Sequence, residues 1–129
     1  MLQVVAVYLK DKDRFLLAQR PAEKARGLQW EFVGGKIEPG ETGEEALRRE
    51  CREELGIAVT VGQQVAQTVY AYPDVEVCLT VYEAPLQGQA PQLLEHLAFA
   101  WVTPDEADRY DLCPADRQIT EQLKKRKEV

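Results

Sequence analysis

A chain of 129 residues, 45% hydrophobic and 29% charged, can build one well-buried core but not two, so a single domain over residues 1–129 is expected. A net charge of −6 argues against polymeric nucleic acid as partner, and three scattered cysteines (Cys51, Cys78, Cys113) exclude a disulfide framework or a zinc site, reading instead as buried thiols. No apolar run reaches the length of a membrane span and no leader pattern opens the chain, so no membrane partner and a cytoplasmic location are expected.

In chain order, Leu2–Lys10 is nearly continuous and β-branched, as in a strand covered on both faces. Asp11–Asp13 forms a turn and Phe15–Arg20 the returning hairpin strand. A loop over residues 21–29 leads to WEFVGG, read as one short strand ending in glycines. The run from Gly34 to Ile57 carries a double glycine, a turn and a glutamate-rich helix. Val59–Tyr72 reads as a strand bent near Gly62, Pro73-Asp74 as a turn, and Val75–Tyr82 as an alternating strand with Val75, Val77, Leu79 and Val81 on one face. Residues 84–92 are loop and Leu97–Val102 a short apolar strand. Thr103-Pro104-Asp105-Glu106 has the form of a capped helix start, and a terminal helix follows from Pro114 with basic residues in its last turns. Strands outnumber helices, and the main helix is inserted between strands, which gives a compact mixed-sheet α/β domain.

Thr42 and Glu45 form a capping box, so the inserted helix begins at Gly43 and stops at about Leu55, before Gly56. Leu47, Cys51 and Leu55 fall within an arc of about 80° and face the core. Arg48, Arg49, Arg52 and Glu45 fall on the far side, while Glu50, Glu53 and Glu54 share a third arc beside the apolar stripe. Carboxylates at i, i+3 and i+4 repel one another, and a divalent cation reverses the sign of that interaction. A lone ExxEE is otherwise the mark of a solvated acidic face.

The surrounding residues shift that balance. Gly35, Glu41, Arg49-Glu50, Cys51, Glu53-Glu54, Gly56 and Ile57 match, position for position, G-x5-E-x7-R-E-U-x-E-E-x-G-U with U apolar. This resembles the Nudix box, with Cys51 a mild departure. The resemblance implies a mixed β-sheet sandwiched between helices and hydrolysis of a nucleoside diphosphate linked to another group. Magnesium, or manganese, is the implied cofactor. By motif position Glu50, Glu53 and Glu54 are implied metal ligands, with the carbonyl of Gly34 beside them. Glu53 is the implied general base, Arg49 the group that orients a carboxylate, and Glu41 the stabiliser of the loop.

Beyond the box, FLLAQRP, GLQWEFVGGKIEPGE, ALRRECREELGI, EHLAFAWVTPDEA and LCPADRQI are similar, in order, to the MutT group, including bacterial CTP pyrophosphohydrolases and 8-oxo-dGTP diphosphatases. This similarity implies conversion of an NTP or dNTP, oxidised or cytosine-based, to monophosphate and pyrophosphate by a monomer or homodimer. It places Arg20, Glu31, Phe32, Gly34 and Gly35 at the substrate, and Glu95, six residues before Trp101, as a loop ligand or base. Each has a plain alternative: a strand-end charge for Arg20, core for Phe32, an exposed loop acid for Glu95. His96, the sole histidine, lacks a pairing argument and reads as incidental. Asp116 stands where MutT-type proteins carry a base-reading asparagine. An ionised carboxylate only accepts hydrogen bonds, so the change leaves the preferred base open, and capping of the terminal helix is an equal alternative. Two other functions stay open: a Nudix hydrolase of ADP-ribose, NADH or a dinucleoside polyphosphate, and a Nudix-fold sensor that binds nucleotide without cleaving it.

Overall fold

Valine and leucine alternate with small and aromatic residues along β1 (Leu2–Asp11), and both faces of this strand are buried. The computed structural model describes residues 1–127 and places β1 at the centre of a seven-stranded sheet. β2 (Arg14–Gln19) returns antiparallel after a turn at Lys12, and β6 (Glu76–Pro85) lies parallel to β1 on its other edge, in register from Leu2↔Val77 to Lys10↔Pro85. β5 (Gln64–Ala71) closes that side antiparallel to β6, and β7 (Ala98–Val102) pairs with β2. Strands and turns stand close to expectation, except that β5 starts at Gln64 rather than Val59. Gly62 and Gln63 still bond Glu83, but a register irregularity between Gln64 and Ala66 breaks the regular ladder there.

The stretch WEFVGG departs further. It forms two strands: β3 (Trp30–Glu31) pairs with β2, and β4 (Gly34–Lys36) pairs with β1. Within seven residues the backbone crosses from one neighbour to the next, held at the crossing by the Val7 N–H donating to Val33 O at 2.9 Å. Gly34 allows the close approach, since a Cβ there would lie 1.9 Å from the Val5 carbonyl oxygen.

The sheet separates two apolar layers. Val5, Val7, Leu9, Leu16 and Val33 pack against Ala46, Leu47, Cys51 and Leu55 of α1 (Gly43–Leu55). On the opposite face Ala6, Phe15, Leu17, Phe32 and Leu79 pack against Ala115, Ile119 and Leu123 of α2 (Pro114–Lys127). Each fully buried Leu or Phe contributes about 1.5–3 kcal/mol. The helix-flanked mixed sheet is thus present, and the three cysteines are free and buried.

The bounds, capping box and Gly56 stop of α1 are those read from sequence, and Gly56 takes the left-handed conformation. The expected helix at Thr103 is only a 3-10 turn, Glu106–Arg109; Thr103 and Glu106 exchange capping bonds, but no longer helix follows. Among the described residues no helix is long and apolar enough to cross a membrane.

Candidate active site

Three elements converge on a cavity of about 500 Å³: the β3–β4 crossing, α1 and the start of α2. Its walls include Arg20, Glu31, Phe32, Gly34, Gly35, Glu50, Glu53, Glu54, Glu95 and Asp116, so the substrate and metal positions inferred from sequence share one space. Glutamates with Lys24 and Lys36 form one part of the lining, and Leu2, Val4, Val77, Leu79 and Tyr72 supply apolar wall.

Arg49 lies on the far side of an ideal helical wheel, yet its long side chain folds back and is only 23% exposed. Its guanidinium donates to both carboxylate oxygens of Glu41, at 2.7 and 2.9 Å, to Glu50 Oε1 at 2.8 Å, to Glu53 Oε2 at 3.3 Å and to the Lys36 carbonyl at 3.0 Å. The wheel placement fails because it follows Cβ directions and ignores the reach of arginine. Hydrogen bonding to Arg49 holds the Glu41 carboxyl down at about 2, and Glu41 also accepts the Glu38 N–H, so it ties loop to helix. The Glu50 carboxylate lies against Gly35: a Cβ at that glycine would be 2.5 Å from it.

Glu54 is different. Burial, then the charges of Glu50, Glu31 and Glu95, push its carboxyl up to about 8, and its Oε2 is buried with no hydrogen-bond partner. An orphaned, crowded carboxylate is a hard oxygen donor of the kind magnesium and manganese take, so the donor set fits a divalent cation. The side chains are nonetheless spread: among the described residues no three Asp, Glu, His or Cys groups are gathered as an ion site. Glu50 and Glu53 face Arg49, and Glu95 faces Lys24 at 3.6 Å.

Asp116 is 6% exposed and accepts the Phe32 N–H on Oδ2 at 3.0 Å. It is the third residue of α2, in the helix's first turn, and this carboxylate oxygen also serves β3's continuation. The bond is set up by Trp30, whose N–H and carbonyl pair with Asp111 and Cys113 at 2.8 and 2.9 Å. Burial and the charge of Glu31 raise the Asp116 carboxyl far above the usual range, so the ionised form assumed from sequence is disfavoured.

Some lining residues carried no sequence signal. His96, for which the sequence offered no pairing argument, is buried with its Nε2 3.0 Å from Glu31 Oε2, a partner 65 positions away. Glu31 Oε1 accepts from Arg20 Nη1 at 2.9 Å. Arg26, in a loop read only as a connection, stacks 4.0 Å over the Tyr72 ring and pairs with Asp74 at 3.0 Å, while Tyr72 Oη accepts the Ala115 N–H.

Fold and site together define a helix-flanked mixed-sheet domain whose loop–helix–loop lines a nucleotide-sized cavity with glutamates. Residues 1–123 match the NUDIX domain family, and the chain belongs to it. It is 42% identical over 121 residues to the CTP pyrophosphohydrolase of Escherichia coli K12, covering 94% of this chain and 90% of that protein. It is 38% identical over 105 residues to the putative 8-oxo-dGTP diphosphatase 2 of Mycobacterium tuberculosis H37Rv, covering 79% and 73%. The crystal structure of a MutT protein from Methanosarcina mazei Go1 superposes with a TM-score of 0.89 over 99% of this chain and 96% of that one; at 23% identity this is a likeness of fold. The resemblance stated from the glutamate segment is borne out.

Proposed function

We propose that the protein is a divalent-cation-dependent nucleoside triphosphate pyrophosphohydrolase, converting an NTP or dNTP to the monophosphate and pyrophosphate. The observation that carries this reading is one cavity lined by Glu50, Glu53, Glu54 and Glu95 together with Phe32, Asp116 and the apolar residues Leu2, Val4, Val77 and Leu79. The relatives named as CTP and 8-oxo-dGTP hydrolases support the same substrate class, including oxidised or cytosine nucleotides.

Glu50, Glu53, Glu54, Glu95 and the Gly34 carbonyl would hold magnesium or manganese. A bound cation supplies charge neutralisation on the phosphates and Lewis acidity toward the attacking water. Water adds to the β phosphorus, the bond to the α–β bridging oxygen breaks, the monophosphate leaves with that oxygen, and pyrophosphate keeps the oxygen from water. Glu53, the most exposed of the three box glutamates by side chain, takes the water's proton. Arg49 keeps Glu50 and Glu53 in place, Arg20 and Lys24 attract phosphate, Gly35 admits the Glu50 carboxylate, and Phe32 packs the base whose edge Asp116 reads. The reading takes the chain as one domain acting in the cytoplasm, as monomer or homodimer, on small nucleotides.

The test is pyrophosphate release in magnesium from canonical, oxidised and methylated triphosphates against ADP-ribose and NADH, compared by kcat/KM. Preference for triphosphates and loss of release in Glu53→Gln are expected. The reverse substrate order overturns the assignment, and equal slow release by both proteins favours a nucleotide sensor.

A further inference from the structure

We propose that His96 is a positioning residue that acts through Glu31 to aim Arg20 at the substrate's phosphates; the inference rests on the triphosphate-hydrolase reading. The topology brings the three together. β2 is flanked at its end by β3 through Ala18↔Glu31 and by β7 through Gln19↔Ala98, while the Leu97 N–H donates to Gln19 O at 3.0 Å. Arg20, Glu31 and His96 therefore meet at one end of the sheet, and all three line the cavity.

Their bonding is directional. Glu31 has two acceptor oxygens, one taken by Arg20 at 2.9 Å and the other by His96 at 3.0 Å. A carboxylate held by one donor can turn about its last bond, whereas a second donor on the other oxygen fixes its plane. Because a carboxylate only accepts, Nε2 of His96 is the donor in this bond. The His96 side chain is only 4% exposed and its Nδ1 is buried without a partner, an unfavourable arrangement for a residue that merely fills space. The Nε2–H bond to Glu31 accounts for a histidine there.

Arg20 receives the benefit. Its Nε donates to the Ala25 carbonyl at 2.8 Å and its Nη1 to Glu31, so two anchors set the plane of the guanidinium. Among the described residues Nη2 has no protein partner, and it supplies donors that suit a phosphate oxygen. Without His96, Glu31 can rotate and Arg20 loses one of the two groups that hold its fork in place.

The experiment measures binding of the α,β-methylene analogue of CTP with magnesium, and kcat and KM for CTP, in wild type, His96→Gln, His96→Asn and His96→Phe, each also in an Arg20→Ala background. Glutamine places an amide donor near the reach of Nε2, and asparagine only near that of Nδ1. Loss of a bond to a charged group should weaken analogue binding about tenfold in the Phe and Asn variants, raising KM more than it lowers kcat. Glutamine should restore most of the affinity, and with Arg20→Ala the His96 substitutions should have no further effect. Nitrogen NMR of the free protein should find Nε2 protonated. The role is overturned by the opposite tautomer, by equal binding in the Gln and Asn variants, or by an undiminished effect of Phe without Arg20. If Phe prevents folding, the Gln and Asn comparison decides. A wild type that binds the analogue but cleaves no triphosphate removes the hydrolase reading and leaves positioning to be judged on binding; one that does not bind it overturns positioning.

Discussion

Arg49 and Glu41 are joined by two hydrogen bonds, at 2.7 and 2.9 Å, that fasten the loop before α1 to the helix's glutamate face. The same guanidinium reaches Glu50 and Glu53. Arg49→Ala should lower kcat/KM by roughly 10–100-fold. Arg49→Lys should recover little, because an ammonium cannot reproduce the planar fork. Steady-state kinetics at saturating magnesium reads both.

The acid limb of stability follows from that pair. Glu41 is held at about 2 against an ordinary 4.5, so its stabilising contribution is complete above about pH 4.5 and disappears as pH falls toward 2. Glu41→Gln should flatten that part of a melting-temperature profile. A profile as steep as wild type's would remove Glu41 from the explanation.

Glu54 works in the opposite direction. Its carboxyl is raised from 4.5 to about 8, chiefly by burial, so the folded state binds more protons than the unfolded between those values. The metal-free protein should therefore lose stability as pH climbs from 5 to 8, by several degrees of Tm. Glu54→Gln should remove much of the slope and magnesium should oppose it. Asp116 adds a component of the same sign, separable with Asp116→Asn.

Gly35→Ala places a methyl group where the Glu50 carboxylate now lies, 2.5 Å away. Displacement of that side chain by about an ångström should cost on the order of 10²-fold in kcat/KM. Unchanged kinetics would mean that Glu50 moves without consequence.

Asp116→Asn should fold, since an amide oxygen still accepts the Phe32 N–H. A neutral carboxyl, like an amide, both donates and accepts, so the variant's base preference should stay flat from pH 6 to 9. Wild-type preference should drift as the buried acid ionises. Competition between CTP and 8-oxo-dGTP across that range measures the difference.

The glutamate helix was legible because its signals are local: Thr42 and Glu45 at the start, Gly56 at the stop, and Leu47, Cys51 and Leu55 on one face. The two-sided burial of β1 was equally plain from its unbroken apolar run. The division of WEFVGG was not, because which neighbour each residue pairs with depends on strands 11 to 32 positions away. Arg49 was misplaced geometrically although its role was implied by the motif, since a wheel cannot represent a side chain that doubles back. His96 needed Glu31, and Arg26 needed Asp74 and Tyr72; sequence spacing holds no trace of those meetings.

The backbone passage from β3 to β4 makes Trp30–Lys36 a ruler. The Phe32 N–H meets Asp116 at one mark and Gly35 meets the Glu50 carboxylate at another, with Val33 pinned between them. On the proposed chemistry, the span from nucleobase to cleaved bond is written into a handful of peptide units. Phosphates beyond the β position lie past that span, so on this chemistry the scaffold sets which anhydride bond is cut, counted from the base, rather than how many phosphates follow it.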